Sequence, residues 1–366
     1  MGTVPEGKPA VRIVQRLYLS DFLRLLLLIS LGLALVFSLI DLIGRIDDFL
    51  PHKPSVGSLI MYAVYTIPKF FLYLLPMSVL ICSLFTFSQA TRRKEITAIR
   101  AAGGRMRDLF YPFVITGAVL SIAAFFISEF VVPDFSQRSA ALKIKLEGKE
   151  KKSTLSDGAT WIKDINGNPV KIELYIPEKK IAQNVSIFVQ GEDFLKSVIT
   201  AKRATWQADQ QQWLFEEASL YDSKTGRTKK ISRMNYPDLG SPDIFSKEMR
   251  SPDEMGIAEL YRYIQRLRNA GFSNVKLLVD LNSKVSFPLI NAFMMLLGMS
   301  LSGRAQMGGG LFTAGLGLGV SLLYWFSYTF TLSIGYAGIL PPFLASWLVP
   351  VLFGSVAVYL FVKTPE

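Results

Sequence analysis

The chain has 366 residues, half of them hydrophobic, and a formal net charge of +11 at pH 7. Its single cysteine and single histidine exclude an intramolecular disulfide framework and argue against a metal site or a cysteine–histidine catalytic pair. The apolar residues cluster in runs long enough to cross a bilayer. The positive charge is therefore interpreted as the cytoplasmic bias of a membrane protein, and not as a surface for nucleic acid.

Six segments are predicted to cross the membrane as helices, because only a helix of about 20 apolar residues satisfies its own backbone within lipid. Lysine and arginine in the short loops concentrate on the side of the two chain ends, which predicts that both termini are cytoplasmic. The predicted class is therefore a membrane α-helical protein with three spans on each side of an inserted domain. The predicted spans are 22–43, 59–87, 109–132, 285–301, 311–334 and 343–362.

The insert, 133–250, is predicted to be an all-β domain in the periplasm of a Gram-negative cell. Six short runs rich in Val, Ile, Trp and Tyr are separated by turn signals such as Asn166-Gly167, which favours a sandwich, barrel or jelly-roll. The runs are 159–163, 170–177, 185–190, 197–207, 213–221 and 229–236. An irregular tether between two membrane halves is the alternative. The halves are 1–132 and 277–366, and 251–276 is predicted to be an amphipathic connecting helix that Ser251 caps.

The cytoplasmic segment between the second and third spans, about 89–104, is predicted to form a short amphipathic helix that docks on another protein. A basic loop that only fixes topology is the alternative interpretation. The expected contacts are three apolar or small residues on one face and three charged residues around it: Ile96, Ile99, Gly103, Arg92, Glu95 and Arg100.

Two basic residues lie at or near the outer ends of predicted spans. Lys69 follows Pro68 inside the second span, and Arg45 lies at the end of the first. Each could extend its charge to the outer headgroups while its stem stays in lipid. Each could instead line a path for an anionic substrate, which makes Lys69 and Arg45 the candidate substrate-binding residues.

Catalytic motifs are missing from the sequence. No phosphate-binding G-x-x-x-x-G-K-[ST] pattern occurs, and no paired carboxylates stand out in the spans. The prediction is a transporter permease without catalytic residues, metal or cofactor of its own. A membrane-anchored scaffold or signalling subunit, whose β-domain binds a partner without moving cargo, is the alternative; a membrane enzyme acting on lipid is disfavoured.

Several motifs, taken in their order along the chain, resemble one known family. Ile67-Pro68-Lys69, Pro76-Met77 and the run from Glu95 to Gly103 are similar to the LptF/LptG permeases of the lipopolysaccharide exporter. The resemblance covers essentially the whole chain and is strongest to the LptG member. Three later stretches favour that member: Trp161-Ile162-Lys163-Asp164, Leu260-Tyr261-Arg262-Tyr263 and Gly338-Ile339-Leu340-Pro341-Pro342.

The resemblance implies the permease of an ABC transporter in the bacterial inner membrane, part of outer-membrane biogenesis. It implies a heterodimer with a homologous partner permease, a cytoplasmic ATPase dimer that binds the ATP, and periplasmic jelly-roll bridge proteins that receive lipopolysaccharide. The jelly-roll character of the insert also rests on it. It places Lys69 near the anionic headgroup, Arg45 near a basic position of the family, and Glu95 in the ATPase contact. Further basic positions of the family's first span are apolar here.

Overall fold

The structure, a computed structural model, describes the chain except residues 1–7, 102–105, 148–152, 157–158, 177–178, 191–194, 209, 224, 241, 243–250, 270–272, 303–309 and 364–366. The chain divides into two compact units, Met1–Leu146 with Pro252–Glu366, and Glu147–Ser251. The first is helical and the second is a β-sheet. The expected insert boundary at residue 133 differs from this division, because the helix Val132–Leu146 groups with the helical unit.

Ten α-helices are described in the helical unit. A π-helical turn, Ile127–Val131, joins the fifth helix to the sixth, and short 3-10 turns occur at Leu50–His52 and Pro252–Glu254. The α-helices are α1 Lys8–Gly44, α2 Ile46–Phe49, α3 Val56–Arg92, α4 Glu95–Ala101, α5 Met106–Phe126, α6 Val132–Leu146, α7 Ile257–Asn269, α8 Val275–Ser302, α9 Gly310–Tyr336 and α10 Pro342–Val362.

Five helical segments of the described chain are long and apolar enough to cross a membrane: α1, α3, α5 continued by α6, α8 and α10. These correspond to five of the six predicted spans and confirm a membrane-helical fold. The remaining predicted span forms α9, which has 27 residues and no acidic or basic side chain. Glycine, serine, threonine and tyrosine lower its hydropathy. The count of six spans therefore remains a prediction that depends on α9.

Helix α8 is the centre of the helical unit and packs against α3, α5 and α10, while α1 packs against α3. Small residues permit the close approaches. A Cβ atom added to Gly298 of α8 would overlap the side chain of Ser83 on α3, and one added to Gly117 of α5 would lie 3.0 Å from Met295 Cβ. Because lipid gives little hydrophobic driving force between helices, such close packing is what holds the spans together.

The second unit is one antiparallel sheet of seven described strands, each paired with the next in sequence. The six strands expected from the Val, Ile, Trp and Tyr runs are all present. The four-residue first strand was missed because its Ser-Thr-Leu-Ser sequence lacks apolar alternation. The strands are β1 Ser153–Ser156, β2 Ala159–Lys163, β3 Pro169–Ile176, β4 Ile181–Gln190, β5 Leu195–Gln207, β6 Gln212–Asp222 and β7 Thr228–Tyr236.

The strand order confirms an all-β insert. The described strands follow one another as an open antiparallel meander, with β1 and β7 at the edges. Of the β architectures that the strand runs favoured, a closed barrel is therefore excluded for the described strands, because β1 and β7 do not pair.

The core of the sheet lies on one face, and the buried carboxylate of Asp164 forms hydrogen bonds beside it. Asp164 accepts hydrogen bonds from the backbone N–H of Asn168 at 2.7 Å and from the Tyr236 hydroxyl at 2.8 Å. Burial and this bond to Asp164 raise the pKa of Tyr236 above its ordinary value. Trp213 and Phe215, both fully buried, fill the centre of the same core. These polar groups are satisfied inside the sheet and have a structural role.

Candidate functional site

Lys69 lies in α3 directly after Pro68 and forms an ion pair with Asp253 of the 3-10 turn before α7. Lys69 Nζ is 2.6 Å from Asp253 Oδ2, and the two side chains are 37% and 39% exposed. Ion pairs this exposed contribute about 0–1 kcal/mol, so the partners can be exchanged at low cost. Sequence reasoning placed Asp253 in the first turn of the connecting helix and could not show that it meets the second span.

A second lysine, Lys284 of α8, lies at the same level as Lys69. The rings of Tyr73 and Phe287 meet edge to face at 5.6 Å and join α3 to α8. Further along, Ser83 of α3 meets Gly298 of α8, so the two helices run in the same direction. Lys69 precedes Tyr73 by four residues and Lys284 precedes Phe287 by three. Both lysines therefore lie one turn before the same aromatic contact, counted along the direction of each helix.

Two further carboxylates near these lysines have partners of their own. Asp280 Oδ1 accepts a hydrogen bond of 2.6 Å from the Tyr336 hydroxyl on α9. Glu129, in the π-helical turn, accepts one of 2.6 Å from the backbone N–H of Ile257, the first residue of α7. This hydrogen bond to Glu129 caps the start of α7, where the sequence predicts a cap by Ser251. Across the described ranges, no cluster of three or more carboxylate, histidine or cysteine side chains could hold a metal ion.

Arg45 belongs to a different cluster, at the end of α1. Its Nε lies 3.2 Å from Asp41 Oδ1, one turn earlier, and the Tyr62 hydroxyl donates to Asp41 Oδ2 at 2.8 Å. Asp41 therefore links α1 to α3 and holds the guanidinium of Arg45 against the chain. The two candidate substrate-binding residues are placed in separate surroundings, each with an internal carboxylate as its partner.

The predicted cytoplasmic helix begins later than expected. α3 continues through Arg92, and Lys94, at φ +60°, separates it from α4, which begins at Glu95. This left-handed residue breaks the helix expected from 89 to 104. Gly103 lies outside the described residues, and Arg100 lies within α4.

The burial of the α4 side chains shows which face of this helix packs on the rest of the chain. Ile96 is buried and Ile99 half-buried against the core of the helical unit, whereas Thr97 and Ala98 are exposed. Glu95 accepts a hydrogen bond from the Tyr18 hydroxyl of α1. The apolar face of α4 therefore packs inward, and the face that carries Thr97 and Ala98 is exposed.

α1 presents a long apolar face that the described chain does not cover. Leu28 is 69% and Ile43 67% exposed, although both lie in a span-length helix. The other exposed large residues of the same helix are Leu17, Leu23, Leu27, Leu31, Leu35, Val36, Phe37, Leu39 and Ile40. An exposed apolar surface of this extent contacts lipid or another membrane protein.

Comparison with known proteins matches residues 16–363 to the family described as "Lipopolysaccharide export system permease LptF/LptG". The LptG proteins of Escherichia coli strains K12 and O6:H1 are each 24% identical over 245 residues, covering 66% of this chain and 67% of the relative. LptG of Haemophilus influenzae is 22% identical over 281 residues, covering 73% of this chain and 77% of the relative. With its membrane-length helices and inserted β-sheet, the chain belongs to the LptF/LptG family of lipopolysaccharide export permeases.

Proposed function

We propose that this chain is the LptG-like permease subunit that takes lipopolysaccharide from the outer leaflet of the inner membrane and passes it to a periplasmic bridge. The family match over residues 16–363 is the single observation that carries the proposal. The family name describes a transport component, which agrees with the missing nucleotide-binding motif. In this proposal, ATP is bound and hydrolysed by a separate cytoplasmic ATPase dimer, and this chain needs no cofactor.

The surface of the helical unit is suited to such a cargo. Acyl chains favour apolar walls like the exposed face of α1, where Leu28 and Ile43 are more than half exposed. The anionic headgroup needs a cation to offset its loss of water, and Lys69 is the half-exposed candidate, with Arg45 as a second. The rest of the α1 face is available to a homologous partner permease.

Coupling to the ATPase is assigned to α4. Because Ile96 and Ile99 pack on the core, a movement of α4 would be transmitted directly to the helices behind it. Glu95 contacts α1 through Tyr18, so the same helix connects the cytoplasmic surface to the first span. In this proposal both termini are cytoplasmic and the β-sheet unit is periplasmic, as the lysine and arginine bias predicts.

The test is to co-express this chain with its candidate partner permease and ATPase, purify on a tag on the ATPase, and identify bound lipid by mass spectrometry. A complex that carries lipopolysaccharide supports the proposal. We expect Lys69→Glu to retain less lipid than Lys69→Ala, because a carboxylate adds repulsion to the loss of a cation. A chain that purifies alone and without lipid would overturn the proposal and favour the scaffold alternative.

A further inference from the structure

We propose that Lys69 and Lys284 together form a two-cation subsite for a phosphate group of the lipid, and that Asp253 is the internal counter-ion which this phosphate replaces. The inference rests on the proposed function and deepens it. It adds a basic residue of α8, directly before the fourth predicted span, to the headgroup contact, and it gives the connecting turn Pro252–Glu254 a role in binding.

The geometry of α3 and α8 brings the two cations together. The parallel direction of the helices and the Tyr73–Phe287 contact place Lys69 and Lys284 at the same level, one turn before that contact on each helix, and the charge of Lys69 acts on Lys284. Like charges at the same level repel each other, so the arrangement is stable only with an anion near both. Asp253, 2.6 Å from Lys69 Nζ, is that anion in the chain itself.

Lys284 is half-buried, and among the described residues no carboxylate lies within ion-pair distance of it. The charges that act on it are those of Lys69 and three acids, Asp253, Asp280 and Glu129. A cation removed from water without a partner is costly unless an anion pairs with it. Lys284 can therefore pair with an anion without losing an existing partner, whereas Lys69 is already paired with Asp253.

Three carboxylates face two lysines here, and only one of the three can leave easily. Glu129 holds the first N–H of α7, whose positive helix end stabilises its charge. Asp280 accepts a hydrogen bond from the Tyr336 hydroxyl. Asp253 has Lys69 as its partner and lies on a three-residue turn. A doubly charged phosphate that contacts both lysines can therefore displace Asp253 and leave the other two acids in place.

The experiment measures the Kd of lipopolysaccharide for the purified permease–ATPase complex in a neutral detergent. The same lipid, stripped of phosphate with hydrofluoric acid, is the second probe. We expect Lys284→Gln to weaken binding of the intact lipid by about tenfold, the value of one charged contact. We expect Asp253→Asn to tighten it by about threefold to tenfold, because the competing anion is gone. Neither change should alter binding of the stripped lipid.

Matched controls keep charge and location comparable. Lys276→Gln removes an exposed lysine two turns earlier on the same helix. Asp134→Asn breaks an exposed ion pair with Arg138, at 3.0 Å, on α6. Both should bind like the wild type. The gain expected for Asp253→Asn cannot arise from misfolding, so the test does not depend on a loss of affinity alone.

The outcomes separate this inference from the function on which it rests. If the wild-type complex does not bind lipopolysaccharide, the proposed function fails. If it binds, but Lys284→Gln and Asp253→Asn match their controls, the two-cation subsite is wrong and the function stands. Equal losses for the intact and the stripped lipid would also overturn the inference, because they would indicate damaged packing instead of a lost phosphate contact.

Discussion

The helices α1 and α8 are both long and apolar, but they have opposite surroundings. α8 is covered on several sides by α3, α5 and α10, and residues such as Met295 and Leu297 are almost fully buried. α1 contacts mainly α3 and leaves most of its large apolar side chains exposed. Similar composition therefore serves two purposes. α8 holds the chain together, and α1 offers a surface to lipid or to a second subunit.

The largest effect should come from shortening a buried side chain of α8. We expect Leu297→Ala, at a site 3% exposed, to lower the free energy of unfolding by about 2–5 kcal/mol, because it leaves a cavity in the packed core. Leu28→Ala on α1, at a site 69% exposed, should change it by less than about 0.5 kcal/mol. Denaturation of the purified chain in detergent measures both. Equal losses would refute the division between the helices.

A glycine pair gives a smaller and more local test. We expect Gly298→Ala to cost about 1–3 kcal/mol, because the added methyl group overlaps Ser83 and separates α3 from α8. Gly315→Ala on α9 has no neighbour within 4 Å and should be neutral or stabilising. Thermal unfolding of the two variants under the same conditions is the measurement. A neutral Gly298→Ala would show that the two helices do not pack this closely.

The smallest effect concerns the link between α1 and α4. Tyr18→Phe removes the hydroxyl that donates to Glu95 and should lower stability by about 1 kcal/mol. It should also reduce lipid-stimulated ATP hydrolysis by the assembled complex. Tyr62→Phe removes a similar bond to Asp41, at 2.8 Å, at the other end of α1, and should leave the ATPase response unchanged. Identical responses of the two variants would contradict a coupling role for α4.

Much of the fold could be predicted because its signals are local. Apolar runs predicted the membrane helices, and short runs rich in Val, Ile, Trp and Tyr, separated by turn signals, predicted six strands within a few residues of their ends. The start of α4 could not be predicted, because nothing in the residues around Lys94 signals a left-handed backbone. The meander order of the sheet was also out of reach, since alternation identifies strands but not their neighbours.

The candidate site was predicted only in part, because its contacts join distant parts of the chain. Lys69 stood out as a charge inside an apolar run. Its partner Asp253 was attributed to a helix start, and Lys284 was overlooked because it directly precedes the predicted span 285–301. The approach of α3 and α8 brings these residues together. The edge-to-face contact of Tyr73 with Phe287 between the two parallel helices is a tertiary feature that no periodicity reveals.

The continuous helical segment from Leu109 to Leu146 is much longer than a bilayer requires. Its 38 residues rise about 57 Å at 1.5 Å each, against a hydrocarbon layer of about 30 Å. Even at a tilt of 40°, the upper end of the usual range, it would reach about 44 Å along the membrane normal. The ion pair of Asp134 with Arg138 lies in its second half, as expected for a portion in water. Part of this helical segment therefore extends beyond the hydrocarbon layer at every usual tilt.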